Sequence, residues 1–131
     1  MKIVADKNIP FLEGVFEPYA EVVYIDGSQI TREDVLDADA LIIRTRTKCN
    51  AALLEGTKVR MISTATIGTD HIDLKYCADN GVEVNNAEGC NAGGVMQYVF
   101  SALYGVAARK NIKLDDANFG IIGVGNVGKK V

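Results

Sequence analysis

No run of apolar residues in the sequence approaches the ~20 that a membrane-crossing helix requires, so a helical membrane span is excluded. A basic surplus is also missing. Lys and Arg number 14 against 17 Asp and Glu, a net charge of −3, whereas nucleic-acid binding usually needs a clear positive excess. That balance argues for no nucleic acid and no membrane as partners, yet it leaves room for a local basic pocket that takes a small anion. Cysteine is scarce. Cys49, Cys77 and Cys90 are odd in number and none stands at C-x-x-C spacing, so neither a disulfide framework nor a zinc site is suggested and no metal is expected. They read as reduced thiols of a cytoplasmic protein. The opening Met1–Asp6 meets a charge too soon for a secretion signal. There are no internal repeats and no low-complexity tracts.

What is present is a folded composition: 131 residues, 48% hydrophobic and 24% charged. Short β-rich runs alternate with helical patterns. Strands are expected at Lys2–Asp6, Glu21–Asp26, Ala40–Thr45, Val59–Thr64 and Val82–Asn85. The Leu-Ile-Ile run of the third implies burial on both faces. Helices are expected at Phe11–Tyr19, entered after Pro10, after a Thr31/Asp34 capping box, at Asn50–Leu54, and at Asp70–Asn80 with Gly81 as its stop. Strands separated by helical crossovers imply an α/β fold: a flavodoxin-like parallel five-stranded sheet, order 2-1-3-4-5, with helices on both faces. Ligands of such sheets bind at the carboxyl ends of the strands. That places Asp6, Arg44, Thr45, Thr64 and Thr66 near one edge.

After the polar stretch Asn85–Asn91, a long helix is expected from Asn91, its N-cap, to Lys110. Val95, Val99, Leu103 and Val106 make an apolar stripe that Met96, Phe100 and Ala107 widen. Phe119–Ile122 then reads as a strand, followed at once by Gly123-Val124-Gly125-Asn126-Val127-Gly128. This is G-x-G-x-x-G in the context that dinucleotide binding needs. Gly123 permits the turn, Gly125 clears space for a pyrophosphate, and Gly128 lets the following helix pack close. The start of that helix would offer free N–H groups to the phosphates. The motif alone is a weak signal, since an ordinary strand-to-helix turn can carry it. The acidic residue ~20 positions on that would separate NAD from NADP lies outside these residues.

Taken together, Thr64-Ala65-Thr66-Ile67-Gly68-Thr69-Asp70-His71-Ile72-Asp73, Gly89-Cys90-Asn91-Ala92, Val95–Phe100 and the glycine loop resemble the D-2-hydroxyacid dehydrogenase family. Ile43-Arg44-Thr45 with Thr47-Lys48 resembles the branch acting on phosphorylated substrates. The likeness spans essentially the whole chain. It implies a substrate-binding domain over residues 1–92 and the start of a Rossmann nucleotide-binding domain over 93–131. It further implies NAD as cofactor, a small phosphorylated hydroxy acid as substrate, and a homodimer. Thr45 and Thr66 are expected substrate contacts. The cofactor contacts are expected at Gly123, Gly125, Asn126, Val127 and Gly128. The family's catalytic Arg, acidic residue and His would all lie beyond residue 131, so no catalytic residue is assigned here and these residues alone are expected to be inactive. Gln97 departs from the family, where many relatives carry Glu.

Single residues are weighed against simpler roles. His71, the only histidine, matches the Thr-Asp-His-Ile-Asp motif and reads as a helix-start residue making a local hydrogen bond. Arg44 offers charge-assisted donors to a phosphate or carboxylate; its simpler role is a surface ion pair. Asp6 could suggest a phospho-acceptor receiver, but that fold needs Asp at the end of the third strand, where Arg44-Thr45 stands. Tyr98 and Phe100 read as core or interdomain packing, not cofactor stacking. Gly105 costs roughly 1 kcal/mol inside a helix; close backbone packing would explain it, and so equally would a mere weak point in the helix. Two other functions stay open: a family member acting on another acid such as 3-phosphoglycerate, and a non-catalytic binding or dimerising module whose segment after residue ~92 is weakly anchored or swapped.

Overall fold

Leu41 and Ile43 in the third strand have no exposed surface, and the architecture of the first unit follows from how the chain covers them. In the computed structural model, which describes residues 1–131 with the side chain of Asp116 excepted, the strands are β1 Lys2–Asp6, β2 Glu21–Ile25, β3 Ala40–Ile43, β4 Met61–Thr64 and β5 Glu83–Asn86. All neighbours are parallel, in the order β2-β1-β3-β4-β5. The fold is therefore α/β, as expected. Registers align Val23, Val4, Leu41, Ile62 and Val84 across one face. The helices α1 Arg32–Val35, α2 Ala51–Leu54 and α3 Leu74–Asp79 place Val35, Leu53, Leu54 and Cys77 on that row. The chain divides into two compact units, Met1–Ala87 and Glu88–Val131.

The local signals explain the short helices. Asp34 accepts from both the amide and the hydroxyl of Thr31, at 2.8 and 2.7 Å, and the bond from the amide is the carboxylate's half of a capping box. Asn50 caps α2 by accepting from the Leu53 amide. Asp73 does the same for α3 through Tyr76, so that helix begins at Leu74 and not at Asp70. The residues before it are held instead by a parallel bridge between Cys49 and Ile72.

The expected helix over Phe11–Tyr19 does not form. Gly14 and Phe11 adopt positive φ, +87° and +61°, and Pro18 lacks the donor that a further turn would use. The segment runs in successive turns, with Val15 donating to Leu12 and Tyr19 to Phe16. Its apolar residues nonetheless reach the sheet: Ile9, Leu12 and Phe16 pack on Ile3, Ala5, Ala40 and Ile42. The second face thus carries a loop where a helix was expected.

In the second unit, α4 spans Ala92–Lys110. Asn91 stands at its start but in a helical conformation, with no side-chain cap bond; a capping side chain needs an extended backbone there. The chain turns in at Gly89, φ +78°, whose carbonyl accepts from the Ala92 amide. Val95, Met96, Val99 and Leu103 are half-buried and Ala92 and Ala107 buried, while Val106 and Phe100 are exposed. Steps of four carry the stripe around the helix toward Ala107 and away from Val106. Tyr98 is exposed, which places it outside any core described. Gly105 has no neighbour within 4 Å of an added Cβ, so close packing does not account for it. Asn111, φ +53°, closes the helix, and Arg109 and Lys110 sit favourably at its negative end.

The expected strand Phe119–Ile122 forms no ladder among the described residues and bends at Ile122, which is fully exposed. A strand exists only when paired, and among the described residues this unit has no second strand to pair with. No described helix is long and apolar enough to cross a membrane.

Because Leu41 is fully buried between β1 and β4, Leu41→Ala should lower unfolding free energy by about 2–5 kcal/mol. Chemical denaturation of the 131-residue chain checks this; a loss under about 1 kcal/mol would place Leu41 outside the core.

Candidate functional site

The ends of β1, β2 and β3 are joined through one buried carboxylate. Asp6 closes β1 with 1% of its surface exposed. Its Oδ1 accepts from the Asn8 amide at 2.9 Å, the Asn8 side-chain amide at 3.2 Å and the Gly27 amide at 3.3 Å. Gly27 follows β2 and must lack a side chain: a Cβ there would lie 2.5 Å from Asp6 Oδ2 and 3.1 Å from Thr47 Oγ1. Thr47, in the turn after β3, donates its buried hydroxyl to the Gly27 carbonyl at 2.8 Å. Asp26 beside it is drawn down to about 2 by the Ser28 hydroxyl and amide and by Asn8.

Arg44 and Thr45 lie just beyond β3, which ends at Ile43, two residues before the expected Thr45. The Arg44 guanidinium donates Nη1 to the Asn8 carbonyl at 2.8 Å. Among the described residues it makes no ion pair, the bridges being Lys2–Asp37, Lys7–Asp26 and Lys75–Asp79. Four of its five N–H donors are left for an anion. Thr45 is exposed. Ile43 pairs in register with Thr64, so Arg44-Thr45 and Ala65-Thr66 leave neighbouring strands at the same level.

Thr66 joins a chain of polar groups. Thr64 Oγ1 lies 2.7 Å from Thr66 Oγ1 and 3.2 Å from His71 Nε2. The His71 carbonyl accepts from the Cys49 amide, and the Cys49 carbonyl from the Asp73 amide, so the loop after β4 is sewn to the loop after β3. Burial holds the His71 imidazole below its ordinary range, with Asp70 pulling the other way. Burial also pushes the Cys49 thiol up to about 12, with Cys77 adding to the effect; such thiols are packing groups, not nucleophiles.

Asn8 and Gly27 carried no sequence signal; Thr47 entered only through the family resemblance, and the local hydrogen bond expected of His71 came without Thr64 as its partner. No group of described residues could hold a metal ion.

The second unit holds the glycine loop. Gly123 takes φ +92°. A Cβ at Gly128 would overlap the Gly123 carbonyl oxygen and lie 3.1 Å from its carbon, while Gly125 has nothing within 4 Å. Lys129 donates to the Gly125 carbonyl and Lys130 to Val127, and the residues between turn without forming a helix. The expected strand-to-helix junction is therefore not formed among these residues. The amides of Val124 to Gly128 donate to no partner among the described hydrogen bonds. Asn126 donates its side-chain amide to Glu88 at 2.8 Å, and Val127 is half-buried.

Residues 2–116 match the family described as D-isomer specific 2-hydroxyacid dehydrogenase, catalytic domain. The erythronate-4-phosphate dehydrogenase of Bacteroides thetaiotaomicron is 54% identical over 132 aligned residues, covering 100% of this chain and 38% of that protein. The enzyme of the same name from Saccharophagus degradans is 47% identical, covering 100% of this chain and 35% of its own length. The chain thus spans under two-fifths of these relatives. Among solved structures, NAD+-bound 3-phosphoglycerate dehydrogenase of Entamoeba histolytica superposes with a TM-score of 0.66 at 28% identity, over 99% of this chain and 48% of that one. D-lactate dehydrogenase of Aquifex aeolicus, complexed with NAD and lactic acid, gives a TM-score of 0.67 at 18% identity, over 99% and 46%; at that identity it speaks for the fold alone.

The lowered pKa of His71 has a consequence for stability. Between its folded value and the ~6.5 of an unfolded histidine, the unfolded chain binds more protons. Stability present above about 6.5 is therefore lost as the pH falls through that window. Ring-proton NMR of His71 alongside denaturation at stepped pH checks this; titration at or above 6.5 would contradict the burial assigned to the ring.

Proposed function

Because the chain belongs to the D-isomer specific 2-hydroxyacid dehydrogenase family, we propose that its residues form the N-terminal part of an NAD-dependent enzyme that oxidises 4-phospho-D-erythronate to its 2-oxo acid, in pyridoxal phosphate (vitamin B6) synthesis. The observation that carries this reading is the whole-chain identity of 54% and 47% to erythronate-4-phosphate dehydrogenases. The strand-end geometry supports it: Arg44, with spare donors and no ion pair among the described residues, and Thr45 and Thr66 on adjacent loops, suit a hydroxy acid that carries two anionic groups.

Residues 1–92 bind the substrate and 93–131 begin the nucleotide domain. The glycine loop fits a dinucleotide: among the described residues its Val124–Gly128 amides donate to no partner, Gly125 leaves open space, and any side chain at Gly128 would collide with the turn. Gly123, Gly125, Asn126, Val127 and Gly128 would hold the pyrophosphate by backbone N–H groups. NAD, when bound, supplies the acceptor for the hydride leaving C2. Arg44 would fork onto the phosphate or carboxylate, and the threonine hydroxyls would fix the acid's rotation. The groups that take the hydroxyl proton lie outside these residues, so the 131-residue chain alone transfers no hydride. We place the enzyme in the cytoplasm as a homodimer.

The likeness to 3-phosphoglycerate dehydrogenase favours one second reading, with 3-phosphoglycerate as the acid. NADH formation by the complete gene product, assayed with both acids, decides between them. The expected result is a kcat/KM clearly higher for 4-phospho-D-erythronate, and an Arg44→Ala variant whose KM rises about 10–100-fold through loss of a charge-assisted bond. Turnover of 3-phosphoglycerate only, or an Arg44→Ala enzyme with unchanged KM, would overturn the substrate or the residue's role respectively.

A further inference from the structure

The hydroxyl chain that ends on His71 has a direction, and the direction decides what Thr66 can bind. Each hydroxyl has one hydrogen to give. In one polarity Nε2–H donates to Thr64, Thr64 donates to Thr66, and the Thr66 hydrogen is free to point outward. In the other, Thr66 spends its hydrogen on Thr64, Thr64 spends its own on a bare Nε2, and Thr66 presents only lone pairs. The distances, 2.7 and 3.2 Å, allow both. Phosphate and carboxylate oxygens only accept, so an anionic ligand at Thr66 requires the first polarity.

Nothing else nearby competes strongly for that hydrogen. The remaining acceptor of Thr66 is the Gly68 carbonyl at 3.4 Å, a long bond that is easily given up. Thr64 is 3% exposed, so water has little access to the middle of the chain. The ring is kept in place through its own backbone, by the bond from the Cys49 amide to the His71 carbonyl at 2.9 Å.

We infer that His71 is a positioning residue for the substrate: an Nε2 hydrogen, passed through the Thr64 hydroxyl, aims the Thr66 hydrogen at an oxygen of the anionic hydroxy acid. This rests on Thr66 as a substrate contact. His71 moves no proton to or from the reacting carbon or oxygen. Burial that keeps the ring neutral leaves it a single N–H, so the ligand selects the tautomer that carries it on Nε2.

The test uses the complete gene product with 4-phospho-D-erythronate. His71→Leu and Thr64→Val should each raise KM about tenfold, the scale of one hydrogen bond to a charged group, with kcat held within about twofold. The double variant should be no worse than either single one, because both cut the same chain. His71→Gln, whose amide can donate toward Thr64, should recover most of the affinity and guards against loss of folding in the leucine variant. Additive effects of the two single variants, or no rescue by glutamine, would overturn the inference. An unchanged KM in His71→Leu together with a raised KM in Thr66→Val would overturn it while leaving the substrate contact standing. An unchanged KM in Thr66→Val would instead remove the contact itself.

Discussion

A buried carboxylate is costly unless hydrogen-bonded donors surround it, and at Asp6 that requirement shapes the whole functional edge of the sheet. The strands alone bring three chain ends to one side. The carboxylate then determines how the chain leaves them. It draws in the Asn8 and Gly27 amides, and Gly27 in turn takes the Thr47 hydroxyl on its carbonyl. Three loops, after β1, β2 and β3, are thereby fixed to one another without a metal, a disulfide or a long helix.

The arrangement matters because Arg44 belongs to it. Its guanidinium is anchored at one nitrogen to the Asn8 carbonyl, so the side chain reaches out from a fixed point. A flexible arginine loses rotamer entropy on binding an anion, roughly 2 kcal/mol in the least favourable case; an arginine already tethered loses less. On the next loop, the Cys49–Ile72 bridge and the Thr64–His71 contact do for Thr66 what Asn8 does for Arg44. The strand-end residues that we propose meet the substrate are positioned by neighbours that need not touch it, which is how a loop site gains the definition of a rigid one.

Much of this fold was legible because its signals are local. The Leu41-Ile42-Ile43 run announced a strand buried on both faces, and Thr31 with Asp34 announced a helix start. Arg44 and Thr45 could be placed near the edge once the strand order was known. The illegible parts are those whose causes lie elsewhere in the chain. Gly27 gives no local sign of its constraint, since the atoms that forbid its side chain come from Asp6, 21 positions away, and from Thr47, 20 positions away. Pro10 at the entry suits a helix over Phe11–Tyr19, but the apolar residues there cover the sheet from turns once Gly14 breaks the run. Phe119–Ile122 has strand composition, yet pairing is a property of two segments, and composition reports on one.

The account stands or falls on Asp6. Equilibrium denaturation of Asp6→Asn in the 131-residue chain, beside Asp37→Asn as an exposed control, tests it most directly. An amide oxygen can stand where Oδ1 accepts from three N–H groups, but without the negative charge that strengthens all three bonds. The expected loss is about 1.5–3 kcal/mol for Asp6→Asn, with the control staying within about 0.5 kcal/mol. Equal and small losses at both positions would show that the loops hold their places without the buried carboxylate.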